Sequence, residues 1–545
     1  MNQTLLDVPW LTLLVAWPVV GAAVVWLTGA ARTRGVGAGA LRAVRGVALG
    51  TALVEVALLV GAFAAFDASD AGTHQLTETY PWIPQIGVSY AVGVDGVGLA
   101  LVALAVVLVP LVVLAAWREQ DGDARRLRHY LGLVLLLEAF MVAVFAARDV
   151  FLFYVLFEAM LVPVYFMIGG FGTGARRRYA AVKFLLFSLA GGLIMLAAVI
   201  ALYVQVPVDP ATGTRPDDAF LTANLVETFT ANPLPVTTER LLFLGFFLAF
   251  AIKAPLFPVH TWLPDAAQHA PAGTSTLLVG VLDKVGTFGM LTLCLPLFPH
   301  ASAWAAPVVV GLAVVSILYG ALMAIGQSDL MRLIAYTSVS HFGFIVLGIF
   351  AFTSLSVSGS SFYMVNHGIS TGALFLLAGF LVTRHPERSQ RIDDYGGLQR
   401  VVPVLAGTFL VAGLSALSLP GLSTFVSEIM VLVGTYPRSA WAAFVAVLGV
   451  VLAALYVLLT YQRLFTGGAR PGLEQLPDLG AREKWVVAPL VAILLVLGFY
   501  PAPALDLVDE PADVTVRHLV ETGAAEPAEP GVFVIPAGTE EGSES

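Results

Sequence analysis

Six ionisable side chains interrupt long apolar runs of this sequence: Glu158, Lys253, Lys284, His341, His367 and Glu428. At membrane depth a charged group is costly and is by default a functional one. Carboxylates, amines and imidazoles share one ability, which is to take up and release a proton. Glu138, in Leu137-Glu138-Ala139, belongs to the same set, although it serves equally well as a structural carboxylic acid.

The lysines are the most informative. Only four occur, at 183, 253, 284 and 484, against a total of 28 basic residues. A coding bias that replaces surface lysine by arginine accounts for the scarcity but not for the positions of the survivors. Arginine stays protonated almost anywhere, whereas a desolvated lysine can release its proton, so a site that must do both needs lysine. Lys253 precedes Ala254-Pro255-Leu256-Phe257-Pro258, where two prolines remove backbone donors and end the helix just after the amine. Carbonyls freed at mid-membrane must line protein or water. Lys284 lies inside the next apolar run. A local pair with Asp283 is the bland alternative, but helix neighbours one residue apart point in different directions. Glu158, in Phe157-Glu158-Ala159-Met160-Leu161-Val162-Pro163, needs a partner or a proton, and an intramembrane lysine such as Lys253 is the expected mate. Such a pair would titrate as a unit. His341 and His367 sit among hydroxyl groups in different runs and have no Cys or carboxylate at metal-ligand spacing, so relay is expected rather than metal binding.

The elements that hold these residues must be helices that cross a bilayer. The chain has 545 residues, 58% of them apolar and only 12% charged, with a mean hydropathy of +0.87. A soluble fold could not cover that much apolar surface. Apolar segments fall at about 9–29, 41–66, 95–117, 129–147, 149–171, 179–204, 240–268, 272–298, 303–326, 329–352, 359–383, 402–435, 439–465 and 484–502. Each suits the roughly 20 residues a crossing needs. The expectation is an all-α integral membrane protein of about fourteen transmembrane helices.

Numbered along the chain, the odd loops collect arginine (Arg32, Arg34, Arg42 and Arg45; Arg125, Arg126 and Arg128; Arg176, Arg177 and Arg178) while the even loops carry little. By the positive-inside rule the odd loops face the cytoplasm and both termini lie outside. The first apolar segment has no basic residues before it and reads as a retained span rather than a cleaved signal. Residues 80–94, with alternating Ile86, Val88, Tyr90 and Val92, read as an outer-face hairpin.

The breaks near Pro255 and Pro420 fall in spans 7 and 12, five apart, each beside an ionisable residue. Paired broken helices point to an inverted repeat, spans 4–8 matching spans 9–13. The organisation expected is therefore residues 1–128 as three leading spans, 129–298 and 303–465 as inverted five-helix repeats, 466–502 as a loop and last span, and 503–545 as an acidic surface tail. That acidic end argues against nucleic acid as a partner. The single cysteine, Cys294, excludes a disulfide framework or a thiolate-held cluster within the chain. No nucleophile and base pairing, ligand cluster or phosphate-binding glycine loop suggests an independent enzyme.

Phe157-Glu158-Ala159-Met160-Leu161-Val162-Pro163, Lys253-Ala254-Pro255 with His260-Thr261-Trp262-Leu263-Pro264-Asp265-Ala266, and Leu333-Ile334-Ala335-Tyr336-Thr337-Ser338-Val339-Ser340-His341 together resemble the antiporter-like subunits of respiratory complex I, the proton-pumping NADH:quinone oxidoreductase, and their relatives in multisubunit sodium/proton antiporters. The likeness spans about residues 80–500. The early Glu158 motif, a glutamate rather than a lysine at 428, and no long lateral helix with an extra span after residue 502 favour the M-type branch. The resemblance implies that Glu158 and Lys253 form a coupling pair, that Lys284 is the central site, that His341 and His367 continue a hydrated axis, and that Glu428 ends it. It also implies no flavin, cluster or quinone in this chain, with FMN, iron–sulfur clusters and quinone in partner subunits. Membrane-arm subunits, including their lateral helix, would flank it in a bacterial inner membrane. A subunit of a multisubunit cation/proton antiporter is the alternative, and a passive scaffold whose charges serve only packing is the third.

Overall fold

The computed structural model describes residues 8–28, 38–118, 123–208 and 214–527. Arg32, Arg34 and the acidic run from Glu540 lie outside the described residues. The protein is helical and membrane-spanning: among the described residues eleven helices are long and apolar enough to cross a bilayer, or up to twelve if a bent pair is one span. The expected segments at 240–268 and 402–435 are each built from two shorter helices, Val236–Lys253 with Trp262–His269 and Pro403–Ala416 with Ser423–Thr435. The segment at 484–502 is the helix Ala481–Phe499.

Packing inverts the pattern of a water-soluble core. The most enclosed helices are Ala272–Leu297, Leu330–Ile349 and Ser354–Arg384, and they are also the least apolar of the eleven. Their buried residues include Lys284, Ser338, His341, Asn366 and His367. The more apolar helices Arg177–Gln205 and Ala440–Phe465 turn side chains such as Leu186, Phe444 and Val451 outward. Hydrocarbon outside and hydroxyls inside is the arrangement lipid favours, since apolar surface there gains nothing from leaving it.

The hairpin forms as expected, β1 Gln75–Ile83 pairing antiparallel with β2 Val88–Val94. Asp149 ties it to the bundle. One carboxylate oxygen caps the helix Val150–Ala159 by accepting from Leu152 N at 2.9 Å, and the other accepts from Ser89 N at 2.9 Å. Around this cap Val150 N donates to Phe220 O and Thr222 N to Arg148 O, both at 2.9 Å. The same construction recurs where Asp329 caps Leu330–Ile349: Leu330 N donates to Gln390 O and Ile392 N to Ser328 O, again at 2.9 Å.

One expectation needs correction. Residues 502–521, expected as part of an acidic surface tail, form an amphipathic helix, Ala502–Glu521, bent by 69° from Ala481–Phe499. It buries Val508, Ala512, Val516 and Leu519 against the bundle, a stripe with helical spacing. Glu510 accepts from Gly72 N at 3.0 Å, and His518 Nε2 lies 3.1 Å from Pro296 O. The acidic composition obscured this stripe in the sequence.

Replacing Asp149 by alanine leaves two buried backbone donors without acceptors, at a cost of about 1–3 kcal/mol for each unsatisfied group. D149A is expected to lower the unfolding midpoint of the detergent-purified protein, while D149N retains part of the loss. An unchanged midpoint would show that the cap does not tie the hairpin down.

Candidate functional site

The break after Lys253 leaves carbonyls of the last helical turn without their usual donors. Trp262, from the segment that follows, donates its indole N–H to Ile252 O at 2.9 Å, and Leu256 N reaches back to Ala251 O at 3.0 Å. The bend at Pro255 is thereby held by the Trp-Leu-Pro-Asp motif itself. Asp265 of that motif accepts from Lys183 at 2.6 Å and from Arg332 at 2.5 Å. Lys183 thus belongs to a clamp joining three helices at the bundle's partly exposed end.

Lys253 is wholly buried and its Nζ has no hydrogen-bond partner. It lies over the ring of Phe157, 4.8 Å from the centroid, with Phe184 at 6.0 Å. The direct Glu158–Lys253 ion pair expected from the sequence is not formed, and the amine faces the ring of Phe157 instead. Glu158 Oε1 is buried without a partner, and its carboxylate lies where a Cβ on Gly192 would stand. The two charges still act on each other electrostatically. A cation–π contact supplies about 2 kcal/mol when desolvated, less than the several kcal/mol that burying an ion costs. Both members of the pair are therefore poised to change partner.

From Lys284 onward the residues are in contact. The helix Ala272–Leu297 contains a π-turn at Leu278–Leu282, a local widening common at functional sites. Lys284 Nζ donates to Val279 O at 2.6 Å and lies 2.7 Å from His367 Nδ1, with the Phe342 ring at 5.1 Å. It makes no ion pair with Asp283, as the helical geometry predicts. His367 Nε2 is 3.2 Å from Ser338 Oγ, and its ring stands edge-on to His341, the centroids 5.2 Å apart. His341 Nε2 is 3.2 Å from the Tyr456 hydroxyl. Tyr363, its ring 6.0 Å from that of His341, donates to Glu428 Oε2 at 2.8 Å, and Ser418 donates to the same oxygen at 2.5 Å. All of these side chains can donate and accept in turn, the imidazole roles depending on tautomer.

The structure thus joins Lys284, His367, His341 and Glu428 in one file and sets Glu158 and Lys253 in a second group beside it. Glu138 stands apart, both carboxylate oxygens buried and unpartnered, with Glu55 as its electrostatic neighbour. Sequence reasoning missed Tyr363, Tyr456, Ser338 and Ser418, each of which hydrogen-bonds one of the named groups. Tyr363 was within reach, since it precedes His367 by four residues and shares its helix face.

The family described as NADH:quinone oxidoreductase/Mrp antiporter, transmembrane, matches residues 147–454. NADH-quinone oxidoreductase subunit M of Mycobacterium tuberculosis is 45% identical over 557 residues, covering 97% of this chain and 98% of that relative. A chain of respiratory complex I from Thermus thermophilus with bound NADH superposes with a TM-score of 0.80 at 33% identity, covering 93% of this chain and 99% of that one. A chain of the Mrp complex from a Dietzia species shares the fold, with a TM-score of 0.76 and 24% identity over 95% of this chain.

Two donors hold the Glu428 carboxyl. Y363F removes one and leaves Ser418 in place, and the isotope-edited infrared carboxyl band of Glu428 is expected to shift while stability falls by about 0.5–1.5 kcal/mol. An unmoved band would show that Tyr363 does not bond Glu428 in the working protein.

Proposed function

Because this chain belongs to the family of NADH:quinone oxidoreductase and Mrp antiporter transmembrane subunits, we propose that it acts as the M-type proton-translocating subunit of a proton-pumping NADH:quinone oxidoreductase. The observation that carries this reading is the contact file from Lys284 through His367 and His341 to Glu428 at the centre of the bundle. Protons enter from the cytoplasm, pass along this file and leave outside. The Glu158–Lys253 group couples their movement to electron transfer in partner subunits: when the two approach, Lys253 holds its proton, and when they separate, the proton is free to move on. Glu158, Lys253, Lys284, His341, His367 and Glu428 are the relay residues, with Glu138 a side position.

The membrane arrangement proposed is fourteen spans, counting each discontinuous pair, Val236–Lys253 with Trp262–His269 and Pro403–Ala416 with Ser423–Thr435, as one. Two five-helix units at 129–298 and 303–465 are related by inversion, both termini lying outside. Support comes from matched details. Asp149 and Asp329 start corresponding helices with the same pair of backbone bridges. Both discontinuous helices end on a wide turn, Leu256 N to Ala251 O and Leu419 N to Leu414 O, each 3.0 Å. FMN, iron–sulfur clusters and quinone are placed in partner subunits on the family resemblance, and the one cysteine, itself buried, is too few to ligate a cluster. Antiporter-like subunits and their lateral helix would cover the outward apolar faces on either side.

The M-type assignment is favoured over a cation/proton antiporter subunit by the 45% identity to a subunit M across nearly the whole of both chains. Sodium movement by the purified assembly in the absence of NADH would favour the antiporter.

K253A and E158A, each in the assembled complex, are expected to cut the proton yield per NADH by about tenfold or more, since a proton-transfer group contributes roughly 10²–10⁴-fold. Pumping in vesicles is measured beside NADH oxidation. Native pumping with both residues replaced would remove the proposal.

A further inference from the structure

Asp283 belongs to neither the coupling group nor the file from Lys284, yet it lies between them. It is completely buried, and neither carboxylate oxygen has a hydrogen-bond partner. Its backbone N closes the π-turn by donating to Leu278 O at 3.0 Å, so its position on the helix is set by that widening.

The helix face that carries Asp283 is marked by a glycine one turn on. Gly286 follows it by three residues and so shares its side, with Gly289 one turn further along toward the flank. A Cβ on Gly286 would stand 2.5 Å from Phe250 O and 2.6 Å from Ala254 N, and one on Gly289 would stand 2.5 Å from the Phe250 ring. That side of the helix is pressed against the last turn before the break, the turn that ends in Lys253. Lys284, the next residue, points elsewhere, to Val279 O and His367. Asp283 is accordingly the acidic group between the two amines, and its electrostatic partners are Lys253 and Lys284.

An ion pair serving only to hold helices together would be in contact, and a bystander would be absent, because an unpaired buried carboxylate costs several kcal/mol. Resting on the pumping role above, we propose that Asp283 is a further proton-carrying site, which receives the proton from Lys253 and passes it to Lys284. In the first step the Lys253 ammonium gives one proton to the Asp283 carboxylate, leaving a neutral amine and a carboxylic acid. In the second the acid gives that proton to the neutral Lys284 amine and returns to carboxylate. Each transfer runs across a side-chain rotation or one water molecule, the ordinary reach of general acid–base chemistry. The sequence set Asp283 aside as a local neighbour of Lys284, and only the packing of Gly286 on Phe250 shows which side it serves.

The test compares D283N, D283L and D283E with K253A in the assembled complex, reading proton yield per NADH, NADH oxidation and recovery of the subunit. The expected result is a yield lowered about tenfold in D283N and D283L, and largely restored in D283E, with K253A equally impaired. Native yield in D283N and D283L with K253A impaired overturns the role of Asp283 and leaves the pumping role standing. Native yield in all, K253A included, overturns the pumping role and this inference with it. Should the variants fail to assemble, the native complex with carboxyl-¹³C aspartate in this subunit alone decides. A protonated-carboxyl infrared band that appears and vanishes during turnover supports the inference, and its absence overturns it.

Discussion

An unpartnered charge or backbone group in a bilayer-depth interior is too costly to leave in place, and the rest of the structure follows from that constraint. The backbone meets it with helices. Where the helices fail, named groups step in: the Trp262 indole takes Ile252 O at the first break, and the Lys284 amine takes Val279 O at the π-turn. The second break is closed through Ser418 on Glu428 and Asn366 on Ser423 O. At the π-turn a candidate relay residue, Lys284, itself satisfies the irregular backbone, which binds the chemistry to the fold there.

The constraint is relaxed at several places, and the contrast among the ionisable groups of the site orders it. Lys284, His367 and Glu428 have hydrogen-bond partners, whereas Lys253, Asp283 and one oxygen of Glu158 do not. Groups that are fully satisfied hold a position. Groups that are buried and unsatisfied gain most from a change of partner or protonation state, and Lys253, Asp283 and Glu158 are three of these beside one break, with Glu138 and Glu55 a further set apart from it. A site built this way stores the electrostatic penalty near the point where coupling to partner subunits would act, and keeps a file of hydrogen-bond and ring contacts downstream of it.

Much of this was legible in the sequence. The positions of Lys253, Lys284, His341, His367 and Glu428 in apolar runs, and the prolines at 255 and 420, located the ionisable groups and both helix breaks. The β-alternation after Tyr80 located the hairpin. Contacts between distant segments were less accessible. That Phe157 rather than Glu158 receives the Lys253 amine depends on a side-chain direction no spacing rule supplies. Tyr456 meets His341 across 115 residues, and a single sequence carries no signal for that pairing. The helix at 502–521 was hidden for another reason, since its acidic face outweighed its apolar stripe in composition.

The central claim is that buried amines change protonation state as the protein works. The sequence offers a direct probe, because its four lysines divide evenly into Lys253 and Lys284 inside the bundle, and Lys183, salt-bridged to Asp265, and the exposed Lys484. With this subunit alone carrying ¹⁵N-lysine in the assembled complex, nitrogen resonances can be compared at rest and under steady NADH turnover. The account predicts that Lys253 and Lys284 move between ammonium and amine while Lys183 and Lys484 stay ammonium throughout. A Lys253 resonance fixed in one state under both conditions would contradict it.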